Sequence, residues 1–194
     1  MSGLPPSTLS PWPLERRETV ARHRAFAVER RHYTDGPSGP RNDIHTLVCP
    51  DWANVLPVTP DGNVVLVRQF RFGLDRITLE IPGGMLESGE APAAGVLREL
   101  EEETGYVAER VELLSSLCPN PALQGNRIHS FVAWNAVPGR IAALHGVATE
   151  LEQTEIVLWP RARLAELLDA GAMDHSLCAC VLETFLRRFG AASP

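Results

Sequence analysis

The sequence predicts an α+β fold, in which strands lie on both sides of one central helix and two helices end the chain. Three observations support this prediction. Short apolar runs separated by Pro- and Gly-containing turns fill most of residues 15–81. Residues 90–105 have helical periodicity, and two further helical segments follow the last strand-like run. Elements grouped in this way are typical of a layered α+β domain.

The N-terminal region is predicted to be a flexible arm followed by strands. Residues 1–14 contain four prolines, which break regular structure. Residues 15–50 favour strands at Thr19–Tyr33, as one or two strands, and at Asp43–Cys49, with a Pro- and Gly-rich turn at 35–40 between them. The apolar residues of the first strand segment need a partner surface.

Residues 51–194 form the predicted main domain. Its first two strands flank Pro60-Asp61-Gly62, which is a strong hairpin signal. The predicted strands are Ala53–Thr59, Asn63–Phe70, Ile77–Ile81, Val107–Leu117, Ile128–Val137 and Glu155–Trp159. The predicted C-terminal helices are Leu164–Ala170 and His175–Phe189, which Gly171 separates.

The central helix has clear end signals and two distinct faces. Pro92 is typical of the first helical turn, and Gly105 is typical of the left-handed position just past the end. On a helical wheel one stripe is predicted to face the core. Its members are Ala93, Val96, Leu97, Leu100 and Thr104. A second face carries the carboxylates of Glu99, Glu102 and Glu103.

Composition argues against several classes of protein. The chain has 194 residues, of which 44% are hydrophobic, enough for a sizeable core. No apolar run approaches the roughly 18 residues of a membrane span, and the N-terminus lacks a basic-then-apolar signal pattern. We therefore expect a cytoplasmic protein with no membrane partner. The four cysteines lack CxxC spacing, so reduced thiols are expected, with Cys178 and Cys180 filling a core.

Acidic charge is concentrated around the predicted central helix. Residues 80–103 contain seven glutamates and one arginine, in a chain of formal net charge −6. Carboxylates crowded on one helical face repel each other, and a hard divalent cation among their oxygens would offset that repulsion. A solvated acidic face is the alternative interpretation. The same charge argues against nucleic acid docking on this face.

The segment Gly84–Tyr106 resembles the 23-residue signature of the Nudix hydrolases, G-x5-E-x7-R-E-U-x-E-E-x-G-U, where U is bulky and apolar. The seven fixed positions hold Gly84, Glu90, Arg98, Glu99, Glu102, Glu103 and Gly105. Only Tyr106 departs, because an aliphatic residue is usual there. The resemblance implies an α/β/α sandwich with a mixed β-sheet, preceded here by the N-terminal strands. It also implies hydrolysis of a pyrophosphate bond.

Two further blocks resemble the ADP-ribose and nucleoside-diphosphate-sugar pyrophosphatases of this superfamily. They are Val67-Arg68-Gln69-Phe70-Arg71-Phe72 and Leu79-Glu80-Ile81-Pro82-Gly83-Gly84. By this resemblance Arg71 contacts the substrate and Glu80 lies close to it. Pro119 stands near a proline of the same subgroup and is assigned to substrate binding. Relatives of this kind are usually homodimers built through N-terminal strands, so we expect a homodimer here.

The resemblance also implies roles in catalysis. Glu99, Glu102, Glu103 and the Gly83 carbonyl would bind Mg²⁺ or Mn²⁺. Arg98 would hold these carboxylates in place, through Glu102 or by reaching Glu90.

The general base remains open between two positions. A loop before the last strand offers Glu150, Glu152 and Glu155, of which Glu152 aligns best with the subgroup. The alternative base is Glu99.

One position departs from the ADP-ribose subgroup. Asn126 stands where that subgroup has a glutamate. The substitution removes a carboxylate, leaves pyrophosphate hydrolysis intact and keeps other nucleotide sugars open as substrates.

His129, on the strand that follows, is predicted to be a core or edge histidine whose hydrogen bonds are satisfied.

Two alternative functions follow from the same superfamily. One is hydrolysis of a dinucleoside polyphosphate, coenzyme A or capped RNA. The other is a binding module that senses a nucleotide sugar without cutting it, although such modules tend to lose signature carboxylates and this chain has lost none.

Overall fold

A computed structural model describes residues 5–34, 39, 42–139 and 154–190 of the chain. Two units are distinguished by their internal contacts: Met1–Cys49 with Asn120–Gly125, and Pro50–Pro119 with Asn126–Pro194. The inclusion of Asn120–Gly125 in the first unit was not predicted. It arises because Leu47 N–H donates to the Leu123 carbonyl at 2.7 Å within that unit.

The first unit contains a three-stranded antiparallel sheet in the order β1-β2-β3. Its strands are β1 (Leu14–Arg22), β2 (Ala27–Tyr33) and β3 (Asn42–Val48). The segment predicted as one or two strands is therefore two, divided by a turn in which His23 N–H donates to the Phe26 carbonyl. Most of the predicted turn at 35–40 lies outside the described residues.

A seven-stranded mixed sheet organises the second unit. Its strands and those of a small neighbouring sheet are β4 (Trp52–Val58), β5 (Asn63–Arg71), β6 (Arg76–Glu80), β7 (Gly83–Met85), β8 (Tyr106–Val107), β9 (Val111–Leu117), β10 (Ile128–Trp134), β11 (Val137–Pro138) and β12 (Thr154–Pro160). The main order is β12-β5-β4-β10-β9, and only the β4–β10 pair in that order is parallel. Strands β8 and β11 pair separately.

Strands β4 and β5 diverge after their hairpin, and this divergence makes room for the site. They pair only at Val58 and Val64. Beyond that point β5 pairs with β6, and β4 pairs with β7. The connecting Pro82 carbonyl accepts a hydrogen bond from Val55 N–H at 3.0 Å. The chain therefore delivers Gly83 and Gly84 beside the start of β4, immediately before the central helix.

Helices cover both faces of this sheet, which confirms the predicted α/β/α layering. They are α1 (Pro92–Thr104), α2 (Leu164–Asp169) and α3 (Ser176–Phe189). Alternate residues of β4 point to opposite layers: Val55 packs in the cluster of α1, whereas Leu56 packs in the cluster of α2 and α3. Among the described residues, no helix is long and apolar enough to span a membrane.

The central helix ends where its sequence predicts. Pro92 occupies the first turn, and Gly105 has φ 67° in the left-handed region. The predicted core stripe needs one correction, since Ala93 is exposed and Gly95 is buried instead. A Cβ on Gly95 would lie 2.5 Å from Leu86, so the absence of a side chain lets the preceding loop pack closely. A second correction concerns Cys180, which is exposed rather than core.

Two predicted strands are interrupted. The segment 107–117 divides into β8 and β9, and the segment 128–137 divides into β10 and β11. The second interruption occurs at Asn135, which adopts a positive φ of 57°. Asparagine tolerates this conformation better than most residues. The resulting turn carries β11 back to β8 beside the end of α1.

Candidate functional site

Arg98 connects three of the glutamates of α1 and its preceding loop. Its Nε and Nη2 donate to the two oxygens of Glu90 at 3.0 and 3.1 Å. Its Nη1 donates to both Glu99 Oε1 and Glu102 Oε2 at 2.9 Å. The sequence left contact with Glu102 or with Glu90 as alternatives, and the structure has both. Hydrogen bonding to Glu90, followed by Glu99 and Glu102, raises the pKa of Arg98.

The glycine pair lets the strand approach this helix closely. Gly83 N–H donates to Glu103 Oε2 at 2.8 Å. A Cβ on Gly84 would lie 2.7 Å from Glu99 Oε1, closer than real contacts allow. The backbone of β7 therefore lies against two of the three carboxylates on the acidic face of α1.

The donor set is compatible with a hard divalent cation. Glu99 and Glu102 converge on one nitrogen of Arg98, and Glu103 is oriented by the backbone of Gly83. All of these side chains offer carboxylate oxygens, which hard cations such as Mg²⁺ and Mn²⁺ prefer over softer metals. The N–H of Gly83 bonds the Glu103 carboxylate. The Gly83 carbonyl, which the resemblance implies as a further ligand, lies in the same strand β7.

A second cluster lies around a buried carboxylate on β6. Glu80 is 2% exposed. Arg71 Nε and Nη2 donate to its two oxygens at 2.7 and 2.6 Å, and Thr78 Oγ1 donates to Oε1 at 2.6 Å. The sequence placed Arg71 and Glu80 close together, and the structure joins them as a bidentate pair. Hydrogen bonding to Glu80 raises the pKa of Arg71, and the charge of Glu103 on α1 adds to that effect.

His175 completes the environment of Glu80, and the sequence analysis missed this role. Its Nδ1 lies 2.8 Å from Glu80 Oε2 and 3.4 Å from Cys178 Sγ. The Cys178 sulfur and Glu80 raise the pKa of His175 to about 10. Burial opposes ionisation of Glu80, but its contacts with Arg71, His175 and Thr78 outweigh it and hold the pKa of this carboxyl well below its ordinary value. The only sequence signal was a histidine one residue before a helix, three residues from a cysteine.

Two of the three candidate acids in the loop before the last strand lie outside the described residues. Glu150 and Glu152 both lie there. Glu155 is described and pairs with Arg68, whose Nη1 donates to its Oε1 at 2.7 Å. Thr154 Oγ1 donates to the Glu103 carbonyl at 3.0 Å. The start of β12 is therefore anchored to the backbone at the C-terminal end of α1.

Of three other positions considered in the sequence, Asn126 and His129 make structural contacts. Asn126 is buried, and its Nδ2 donates to the Pro50 carbonyl at 2.9 Å, so it fixes the entry to β4. His129 Nε2 lies 3.4 Å from Asp51 Oδ2, as expected for an edge histidine with a partner. Pro119 follows β9 by two residues, and none of the contacts found in the described chain joins it to the carboxylates.

Comparisons with known proteins agree with this geometry. A family model described as NUDIX domain matches residues 51–176. An ADP-ribose pyrophosphatase of Bacillus subtilis (strain 168) is 39% identical over 97 residues, which cover 50% of this chain and 52% of that protein. An ADP-sugar pyrophosphatase of Mus musculus is 47% identical over 114 residues, covering 58% and 52% respectively. The chain thus spans about half the length of these curated relatives.

A solved structure supports the fold across nearly the whole chain. The crystal structure of an ADP compounds hydrolase superposes with a TM-score of 0.79 at 24% sequence identity. The match covers 96% of this chain and 100% of that chain. At this level of identity the likeness concerns the fold.

The raised pKa of His175 predicts a pH-dependent contribution to stability. The ordinary pKa is 6.5 and the folded value is about 10, so the stabilisation is complete below pH 6.5 and is lost as pH rises through 10. The difference in unfolding free energy between the wild type and His175→Ala should therefore shrink between pH 6.5 and pH 10.5. Urea denaturation at several pH values measures it.

The control for this prediction is Val181→Ala. Val181 is a buried residue of α3 with no titrating group, so its destabilisation should stay constant over the same pH range. A His175→Ala difference that is equally constant would contradict the ion pair with Glu80.

Proposed function

The chain belongs to the Nudix family, and we propose that it hydrolyses the pyrophosphate bond of a nucleoside diphosphate sugar, with ADP-ribose as the leading candidate. The observation that carries the proposal is the bidentate Arg71–Glu80 pair, whose arginine also feels the charge of Glu103 on α1. The names of the relatives, an ADP-ribose pyrophosphatase and an ADP-sugar pyrophosphatase, support the same class of substrate. The products would be a nucleoside monophosphate and a sugar phosphate.

The carboxylate face would hold the divalent metal that this reaction needs, either Mg²⁺ or Mn²⁺. Glu99, Glu102, Glu103 and the Gly83 carbonyl are the proposed ligands. A bound divalent cation neutralises diphosphate oxygens and lowers the pKa of a water ligand. Arg98 orients Glu99 and Glu102 through its shared nitrogen, so the carboxylates keep their arrangement despite mutual repulsion.

Arg71 would bind an anionic oxygen of the substrate. Two of its N–H groups are used by Glu80, and a guanidinium has five. Its side chain is 39% exposed, so the remaining donors can engage an anionic oxygen. Arg71 and Glu80 are accordingly the proposed substrate-binding residues, with Pro119 assigned by resemblance alone.

Either Glu152 or Glu99 would accept the proton from the attacking water. The bond of Thr154 to the Glu103 backbone carbonyl supports Glu152, because Thr154 follows Glu152 by two residues and Glu103 is a proposed metal ligand. Close contact of Glu99 with Gly84 and Arg98 supports its role as a metal ligand. A base contributes typically 10²–10⁴ in rate.

One panel of substrates distinguishes hydrolysis of a nucleotide sugar from the alternative functions. ADP-ribose, other nucleotide sugars, a dinucleoside polyphosphate, coenzyme A and capped RNA would each be incubated with Mg²⁺, and the products identified by mass. Turnover of the nucleotide sugars above the other classes supports the proposal. Binding of a nucleotide sugar without turnover would instead identify a non-catalytic module.

Metal dependence gives the first prediction of this proposal. Activity should vanish with a chelator and return with Mg²⁺ or Mn²⁺, and Glu103→Gln should lower kcat by orders of magnitude because a ligand carboxylate is lost. Mn²⁺ binding followed by electron paramagnetic resonance should weaken in the same variant, which provides a readout independent of turnover.

The matched control is Glu101→Gln. Glu101 lies on the same helix, outside the acidic face formed by Glu99, Glu102 and Glu103, and the substitution removes the same charge. Its metal affinity and kcat should stay near those of the wild type. Full activity in folded Glu103→Gln would refute the ligand assignment.

Substrate binding and proton transfer should separate in the kinetics of two variants. Arg71→Ala should raise KM more than it lowers kcat, because a lost uniform contact weakens ground state and transition state alike. Glu152→Gln should do the reverse, lowering kcat by about 10²–10⁴ if Glu152 is the sole base.

Isotope labelling of the solvent water identifies the bond that is cut. Solvent ¹⁸O should appear in one of the two monophosphate products. Inorganic phosphate or free sugar as the primary product would show that a different bond is broken.

We also propose a homodimer formed through the N-terminal sheet. Several large apolar residues of this unit are 37–42% exposed: Trp12, Leu14, Val20, Phe26, Ile44 and Val48. Burying such residues is favourable, and relatives of this kind usually pair through this region. Light scattering at micromolar concentration should give twice the chain mass. A monomer, or a dimer undisturbed by Val20→Glu together with Ile44→Glu, would contradict the proposal.

A further inference from the structure

The carboxylate of Glu80 accepts four hydrogen bonds from three residues and has no acceptor position left. Oε1 accepts from Arg71 Nε and Thr78 Oγ1, and Oε2 accepts from Arg71 Nη2 and His175 Nδ1, all at 2.6–2.8 Å. An ionised carboxylate offers about four acceptor positions. Each position is taken, so loss of one partner leaves a buried oxygen partly unsatisfied and lets the carboxylate turn.

The start of α3 places His175 against Glu80. His175 immediately precedes α3, and its side chain makes no capping bond to that helix. Instead it points to Glu80, while Cys178, one turn later, lies 3.4 Å from the same nitrogen. Cys178 is buried in the core cluster of α3. An additional ion pair, between Asp174 and Arg76, ties the same helix end to β6.

Charge gives His175 a second effect on Arg71. A bidentate Arg71–Glu80 pair has no net charge and attracts an anion weakly. A protonated His175, which bonds the same Glu80 oxygen as Arg71 Nη2, offsets the carboxylate. The cluster of three residues then carries one net positive charge. The side chains of Arg71 and His175 are 39% and 34% exposed, whereas Glu80 is buried. The net positive charge therefore strengthens the attraction of Arg71 for a diphosphate.

We propose that His175 is a positioning residue for substrate binding, which acts through Glu80 to orient Arg71 and to leave its positive charge available to the diphosphate. The proposal rests on the proposed function for the identity of the ligand. His175 does not touch the reacting atoms; its effect reaches them through two hydrogen bonds in series. The amino end of α3 thereby becomes part of the substrate site.

A metal site at the same residues is the competing interpretation. Ligand atoms of Glu80, His175 and Cys178 lie within 4.8 Å of one another. The guanidinium of Arg71, however, already bonds both oxygens of Glu80. A metal ion would need a free lone pair on Glu80, but hydrogen bonds already occupy its four acceptor positions. The imidazole would also have to give up the proton that it donates. The hydrogen-bonded arrangement is therefore favoured.

Steady-state kinetics with the nucleotide sugar that the enzyme turns over provide the first test. His175→Ala should raise KM about tenfold and change kcat less than threefold. His175→Asn should recover part of the loss, because its amide nitrogen occupies the place of Nδ1 and can donate to Glu80 without the charge. Asp174→Ala, which removes the neighbouring ion pair but no contact of Glu80, should leave KM within twofold of the wild type.

A double-mutant cycle identifies the route of the effect. If His175 acts through Arg71, adding His175→Ala to Arg71→Ala should change KM less than twofold. An undiminished tenfold effect in the Arg71→Ala background would overturn the proposal. So would an Asp174→Ala variant with the same loss as His175→Ala, because general support of the helix end would then explain both.

A spectroscopic readout keeps the inference separate from the proposed function. The Nε–H resonance of Arg71, assigned by its absence in Arg71→Ala, should be sharp in the wild type and broadened or shifted in His175→Ala, with recovery in His175→Asn. If no nucleotide sugar is hydrolysed, the proposed function fails while this measurement still tests the positioning. An Arg71 resonance identical in the wild type and His175→Ala would refute it.

Discussion

Mutual repulsion among the carboxylates of α1 is the constraint on which the site depends. Glutamates at neighbouring positions of one helical face destabilise that helix unless a cation lies between them. Arg98 provides the permanent part of that compensation by bonding Glu90, Glu99 and Glu102 at once. The preceding chain responds to the same constraint, since the N–H of Gly83 faces Glu103. A face whose charges would otherwise repel one another becomes an ordered set of carboxylate oxygens.

The sheet is arranged to bring its backbone to that face. If β4 and β5 continued their hairpin, no strand could enter beside α1. Their divergence beyond Val58 and Val64 admits β6 and β7 between them. Gly84 then completes the approach, because any Cβ there would occupy the position of the Glu99 carboxylate. The site is thus made by strand pairing as much as by the helix.

Glu80 shows how a buried charge connects distant elements. Removing an ionised carboxylate from water costs several kcal/mol unless paired and hydrogen-bonded. Arg71 on β5 and Thr78 on β6 are local partners, whereas His175 comes from the start of α3. The carboxylate therefore needs both halves of the domain. This requirement places the C-terminal helix in the same network as the arginine proposed to bind substrate.

The sequence by itself determined the features carried by neighbouring residues. End signals predicted α1 from Pro92 to its left-handed glycine, and helical periodicity predicted the acidic face. Tertiary structure decided what joins residues far apart, such as His175 and Glu80, separated by 95 positions. It also gave Asn126 its bond to the Pro50 carbonyl and left Cys180 exposed where core packing was expected. Local spacing reports which face a residue occupies, whereas the partner across that face depends on how strands and helices pack.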